Sequence, residues 1–133
     1  MMEESGAGSR KAQWILRVAV AGEFIGHGLL AIGGKADWIK WITQMTGIAS
    51  PMATTLLWWI GVFDVVVALI ILLKPVRIVL LWAAFWGFWT ALVRPLVGVG
   101  WLDFIERFAN WGAPLAILYL RGGFPKTLKE WLS

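Results

Sequence analysis

The chain has no cysteine and a single histidine. The first absence removes disulfides, thiolate metal sites and thiol redox chemistry. The second removes a haem held by two histidines of one chain, and any multi-histidine metal site. Charge is scarce as well. Asp, Glu, Lys and Arg make up 15% of the 133 residues, against roughly 25% in soluble domains. A fold of this size has a high surface-to-volume ratio and needs polar surface to match. The polar residues are too few to cover a water-facing exterior, which points to lipid as the surrounding solvent. No RNA- or DNA-binding motif, low-complexity segment or convincing internal repeat is present. Residues 1–11 are polar and of mixed charge, without the apolar core and small-residue cleavage site of a signal peptide. The first hydrophobic segment is therefore expected to be retained.

What is present in quantity is apolar. Hydrophobic residues make up 59% of the chain, and there are eleven tryptophans, a residue that collects at membrane interfaces. Four stretches are expected to cross a bilayer, at about 13–33, 53–73, 76–94 and 104–120. The first, of about 21 residues at ~1.5 Å each, matches a hydrocarbon core of ~30 Å. Arg17 lies near its start and is expected to snorkel to the interface. Lys74-Pro75 separates the second span from the third, since proline cannot continue a helical ladder. Arg94-Pro95 closes the third, and the glycines of 96–103 mark a turn. The fourth is the shortest and carries Pro114 near its middle. Residues 35–48 are too short and polar to span. There Trp38, Trp41, Ile42, Met45 and Ile48 recur at helical spacing, with Lys35, Asp37, Lys40 and Gln44 largely between them. This spacing predicts an amphipathic helix in the interface plane; a structured loop packed on the helix ends is the alternative. The expected fold is thus all-α, a polytopic membrane four-helix bundle with a short interfacial amphipathic helix between spans one and two. It forms a single transmembrane domain over 1–133, with polar tails at 1–11 and 122–133.

Four crossings place both termini on one side. Arg10, Lys11, Arg17, Lys74, Arg77, Arg121, Lys126 and Lys129 then share that side, against Lys35, Lys40, Arg94 and Arg107 on the other. The positive-inside rule predicts cytoplasmic termini of a multi-pass protein in the cell inner (plasma) membrane.

Ionisable residues inside spans are costly, so each needs a partner or a task. Glu23 and His27 are four apart on span one and share a face. Gly22 and Gly26, also four apart, are expected to admit a neighbouring backbone. Asp64 lies centrally in span two. Thr90 and Arg94 end span three, and Glu106, Arg107 and Asn110 open span four after Asp103. The topology predicts that these residues meet in one layer towards the outer face. In it Glu23, Asp64 and Glu106 would balance Arg94 and Arg107, with His27 near neutral. His27 with Glu23 and Asp64 falls short of a full ligand set, so no metal site is assigned. Trp82, Trp86 and Trp89 recur along span three beside Phe85 and Phe88. They suit either ordinary packing or a flat wall for a ring-shaped ligand such as a quinone.

Several short motifs follow one another in a fixed order. They are Gly22-Glu23-Phe24-x-Gly26-His27-Gly28, Gly61-x-x-Asp64, Trp89-Thr90-Ala91-x-x-Arg94-Pro95 and Glu106-Arg107-x-x-Asn110-Trp111-x-x-Pro114. In this order and with this layout the chain resembles the DoxX/DoxD-like family of small membrane proteins, over about residues 18–122. The resemblance implies a four-helix bundle and a link to redox chemistry, since the DoxD subunit belongs to a thiosulfate:quinone oxidoreductase. It carries over no catalytic residue. The expected function is a redox-associated subunit binding a quinone-like ligand in a polar pocket near the outer face. The site would draw on Glu23, His27, Asp64, Trp86, Trp89, Thr90, Arg94, Glu106, Arg107 and Asn110. Here His27 and Arg94 would hydrogen-bond the carbonyl oxygens, and Glu23 or Asp64 would handle protons. The chain has no electron carrier of its own, so a partner membrane or redox protein, or a soluble donor, would supply electrons. A homo-oligomer is a further possible assembly. The alternative is a non-catalytic accessory subunit of a larger membrane complex, with the polar layer acting as a salt-bridge network.

Overall fold

The computed structural model describes residues 2–133 and is all-helical, with no strand among the described residues. Its elements are α1 (Met2–Ile32), α2 (Ala36–Thr46), α3 (Ser50–Leu73), α4 (Arg77–Leu96), α5 (Trp101–Ile105), α6 (Ala109–Leu120) and α7 (Leu128–Trp131). Three segments are long and apolar enough to cross a membrane: Gly6–Ile32, Ser50–Leu73 and Arg77–Leu96.

Local chemistry sets the boundaries. Pro51 sits in the first turn of α3, where its missing N–H would have had no intrahelical acceptor. Lys74 precedes Pro75 and is forced into extended backbone (φ −152°, ψ 97°), which ends α3 one residue earlier. Gly47 follows α2 with φ 76°, a left-handed conformation that glycine adopts without strain, and its N–H bonds Thr43 O at 2.9 Å.

Helices α1 and α3 run antiparallel and form the most extensive contact in the molecule. Their crossing is closest at Gly28 and Gly61. A Cβ on Gly28 would lie 2.7 Å from Gly61 O and 2.8 Å from Val65 Cγ2, and one on Gly61 would lie 2.5 Å from Gly28 O. Only hydrogen fits there. Gly22 and Gly26, expected to provide this approach, have nothing within 4 Å of a built Cβ. They are exposed, because the buried stripe of α1 runs through Val20, Ala21, Phe24, Gly28 and Ala31. Val20, Phe24, Val67, Ile71, Leu80, Ile117 and Leu118 continue it into a core shared by α1, α3, α4 and α6.

Arg17 reaches the end of α3 and is held there by protein groups. It is 7% exposed; its Nε donates to Ile71 O (3.0 Å) and its Nη2 to Leu72 O (2.5 Å), and the guanidinium lies over the Trp14 ring. These carbonyls belong to the last turn of α3, which has no intrahelical donors left and carries the negative end of the helix dipole. At the same end Arg77 Nη2 donates to Arg121 O (2.6 Å), and Arg121 donates to Pro75 O and Ser133 O. The end of α6 and the C-terminal segment thus sit beside the α3–α4 connection.

The expected fourth span over 104–120 is not one continuous helix. Helix α5 stops at Ile105 and α6 starts at Ala109, and α6 has 12 residues. That is about 18 Å at ~1.5 Å per residue, too short alone for a ~30 Å hydrocarbon core.

Candidate functional site

The helices line a half-open cavity of ≈ 230 Å³ between α1, α3 and α4, with α2 across it. From α1 it receives Glu23, Phe24, His27 and Ala31. The i, i+4 spacing of Glu23 and His27 puts both on the cavity face. From α3 come Leu56, Leu57, Ile60 and Asp64, and from α4 Trp86, Gly87, Trp89, Thr90, Val93 and Arg94. Seven of the ten residues picked out by sequence therefore share one space: Glu23, His27, Asp64, Trp86, Trp89, Thr90 and Arg94.

The other three do not. Glu106, Arg107 and Asn110 are absent from the lining. Arg107 Nη1 instead pairs with its neighbour Glu106 at 2.6 Å, with the Glu106 side chain 62% exposed, and also donates to Asp103 O at 3.0 Å. Glu106 and Arg107 lie near enough to Arg94, and Arg107 to His27, to act on them electrostatically, without lining the cavity. Asn110 serves by its backbone, packed so closely on Gly87 that a side chain there would overlap its carbonyl. Within this polar group no ion pair joins Arg94 to Glu23, Asp64 or Glu106 among the described residues. Among the described residues, Arg107–Glu106 is the one ion pair, and no three of His, Cys, Asp and Glu stand close enough to hold a metal ion.

Inside the cavity the two carboxyls are near neighbours, and Arg94 makes no ion pair with either. Asp64 is 4% exposed, and its Oδ1 has no hydrogen-bond partner. Glu23 and Asp64 lie towards the middle of their helices. Arg94 lies at the far end of α4, about 12 Å along the axis from Trp86 at ~1.5 Å per residue. Arg94 is 7% exposed, donates from Nη1 to Thr90 O (2.5 Å) and packs 5.4 Å over the Trp41 ring. Thr90 Oγ1 donates back to Trp86 O at 2.9 Å, the usual refuge of a hydroxyl inside a helix. The cavity thus brings two carboxyls, a guanidinium, an imidazole and two α4 indoles to one space.

The wall differs from the one the stripe on span three suggested. Trp82 stacks on Trp86 (5.5 Å, 14°) and meets Phe63 edge-on, outside the cavity, while Phe85 and Phe88 are exposed. Only Trp86 and Trp89 face inward. The opposite wall comes from α2, through Trp38, Trp41, Ile42, Met45 and Thr46. Trp38 meets the His27 ring edge-on at 5.6 Å. Gln44 Nε2 donates to Val97 O at 3.4 Å and ties α2 to the end of α4. Sequence reasoning missed these residues as site components. Their helical spacing was visible, but periodicity alone does not say whether an apolar face covers lipid or a cavity.

Fold and site together define an all-helical protein, three of whose helices can each cross a membrane, built around a small aromatic cavity with two carboxyls and a guanidinium. Comparison with protein-family models, curated proteins and solved structures finds no match for the chain.

Proposed function

We propose that the chain is a DoxX-like integral membrane protein, a redox-associated subunit that binds the head ring of a quinone-like ligand in the cavity under α2. One observation carries this reading: an aromatic cavity lined by a few buried polar groups opens among helices whose outward surfaces are apolar. Trp14, Trp58, Trp59, Phe63, Phe85 and Phe88 all lie on such surfaces. Ligand sites of this kind combine apolar walls with a few placed polar groups. A volume of ≈ 230 Å³ suits a single substituted ring, since a cavity of roughly 150 Å³ takes benzene. Electrons come from a partner membrane or redox protein or from a soluble donor.

In this reading the chain lies in the cell inner membrane as a four-helix bundle, with the broken α5–α6 segment making the fourth crossing. Helix α2 lies at the outer interface and presents its apolar face to the cavity. Both termini are cytoplasmic. Support comes from the end of the molecule where Arg17, Arg77 and Arg121 meet helix-terminal carbonyls, which also gathers Lys74, Lys126 and Lys129. The competing reading, an accessory subunit held together by a salt-bridge network, draws less support, because Glu23, Asp64 and Arg94 make no ion pair.

The test is gentle purification with mass spectrometry of copurifying quinones, followed by titration with duroquinone. Wild type is expected to bind, and His27→Ala and Arg94→Ala to bind at least several-fold more weakly. A preparation free of quinone, with equal titration curves for all three proteins, rejects the proposal.

A further inference from the structure

We propose that the arginine cluster where α3 ends binds the phosphate headgroup of an anionic phospholipid. The cluster lies at the end of the molecule away from α2, and the proposal does not depend on what the cavity binds.

Arg17 of α1, Arg77 at the start of α4 and Arg121 after α6 converge on one stretch of chain. Arg17 donates to Ile71 O and Leu72 O, Arg121 to Pro75 O and Ser133 O, and Arg77 to Arg121 O. All these acceptors are main-chain oxygens, and among the described residues none of the three guanidiniums makes an ion pair. Glu130, the acidic residue of the C-terminal segment, is exposed and pairs with none of them. Ser133, even counted as a terminal carboxylate, offsets one charge of the three. Arg17 and Arg77 are near enough to Arg121 to repel its charge. A guanidinium cannot shed its proton to relieve that repulsion. Arg17 is buried as well, and a buried charge without a counter-charge is costly. An anion supplied from outside the chain removes the cost.

The donors left over indicate the anion. Each guanidinium carries five N–H groups. Arg17 and Arg121 spend two each and Arg77 spends one, and Arg77 Nε has no acceptor. Planar forks with unspent donors suit phosphate, whose oxygens accept parallel bonds. Arg77 and Arg121 are partly exposed and can reach such a group, with the charge of Arg17 behind them. The surroundings place that phosphate on a lipid. Leu73, Phe124 and Leu128 are exposed at this end and offer apolar surface to acyl chains, while Lys74 and Lys126 stand exposed beside them. Basic pockets at the ends of membrane helices hold acidic headgroups in this way. A free phosphate would gain nothing from the apolar rim.

The test offers the full chain, in detergent, equal amounts of phosphatidylglycerol and phosphatidylcholine with the same acyl chains. Retained lipid is counted by native mass spectrometry. Wild type is expected to favour phosphatidylglycerol about ten-fold or more, since each basic residue near an anionic headgroup is worth roughly five-fold. Millimolar inorganic phosphate should leave the lipid in place. Arg77→Gln with Arg121→Gln should bring the two lipids to near parity. Lys126→Gln with Lys129→Gln removes the same charge outside the cluster and should keep most of the preference. Arg77→Lys with Arg121→Lys keeps the charge but loses the forks, and should retain only part of it. Equal retention of both lipids by wild type overturns the proposal, as does an undiminished preference in the Arg→Gln variant. Full displacement by inorganic phosphate makes the site one for a free anion and rejects the lipid. Equal losses in the arginine and lysine pairs mean a diffuse basic surface and reject the cluster. The wild-type arms decide the matter even where an arginine variant fails to fold.

Discussion

Alanine at Gly26 and alanine at Gly28 are the same chemical change, two residues apart on one helix, and the structure assigns them different outcomes. Each substitution gains up to about 1 kcal/mol of helix propensity. At Gly26 a Cβ meets nothing within 4 Å. At Gly28 it falls 2.7 Å from Gly61 O and 2.8 Å from Val65 Cγ2, with Asp64 Cβ at 3.3 Å. Ordinary contact begins near 3.4 Å, so α1 and α3 must separate by about 0.7 Å. A gap of that order forfeits a quarter to a half of the dispersion energy along the contact. Overpacking of this kind costs about 1–3 kcal/mol. Because propensity cancels in the comparison, Gly28→Ala should be less stable than Gly26→Ala by about that amount. Reversible unfolding in mixed micelles titrated with a denaturing detergent, followed by tryptophan fluorescence, measures the difference. Equal stability of the two variants refutes the Gly28–Gly61 crossing and, with it, the register that brings Asp64 to the cavity.

Other substitutions test other parts of the molecule. Arg17→Ala removes two hydrogen bonds from a charged donor to the end of α3 and should lower stability by about 2–3 kcal/mol in the same assay. Arg17→Lys should restore only part of it, since an ammonium lacks the planar fork that reaches both carbonyls. Glu106→Gln removes an ion pair between sequence neighbours on an exposed turn. It should change stability by less than about 1 kcal/mol and leave the duroquinone titration unmoved. Trp38→Ala deletes the ring lying edge-on to His27 and opens the roof. It should weaken duroquinone binding roughly three- to ten-fold with unchanged helical circular dichroism.

Most of the helical layout was legible in the sequence because apolar length and proline placement are local properties. Pro51, Pro75 and Pro95 mark the ends of long apolar runs, and α3 and α4 end or begin within a few residues of them. The cavity was legible in part. Glu23 and His27 share a helix face by spacing alone, and charges buried in apolar runs tend to converge. Which glycines make the close crossing was not legible. Gly22, Gly26 and Gly28 all lie in one stretch, and only the rotation of α1 against α3 decides which of them meets Gly61. The role of α2 was hidden for a similar reason. Its Trp38, Trp41 and Met45 face a cavity that exists only once three other helices have assembled.

The fourth segment shows how two small sequence features combine into a shape that neither announces alone. Pro114 has no N–H, so Asn110 O loses its partner four residues on and the helix is weakened at its start. Upstream of it the chain tightens. Arg107 N, Phe108 N, Asn110 N and Trp111 N donate three residues back, to Phe104 O, Ile105 O, Arg107 O and Phe108 O at 2.9–3.3 Å. Glu106 N and Gly112 N keep four-residue spacing. The break is therefore a change of winding rather than a loss of backbone bonding, and such tight turns inside helices mark strain or a hinge. Gly87 accommodates it. With no side chain there, α4 comes up against the Asn110 carbonyl that Pro114 leaves without a helical donor. Lipid tolerates interrupted helices where the main-chain groups still find partners and the interruption is packed on protein. The segment 101–120 meets the first demand through these bonds. It meets the second through the edge-on rings of Phe104 against Phe88 and Phe108. A fourth crossing is thus compatible with the failure of residues 104–120 to form one helix, and at the same bend Glu106 and Arg107 pair with each other rather than line the cavity.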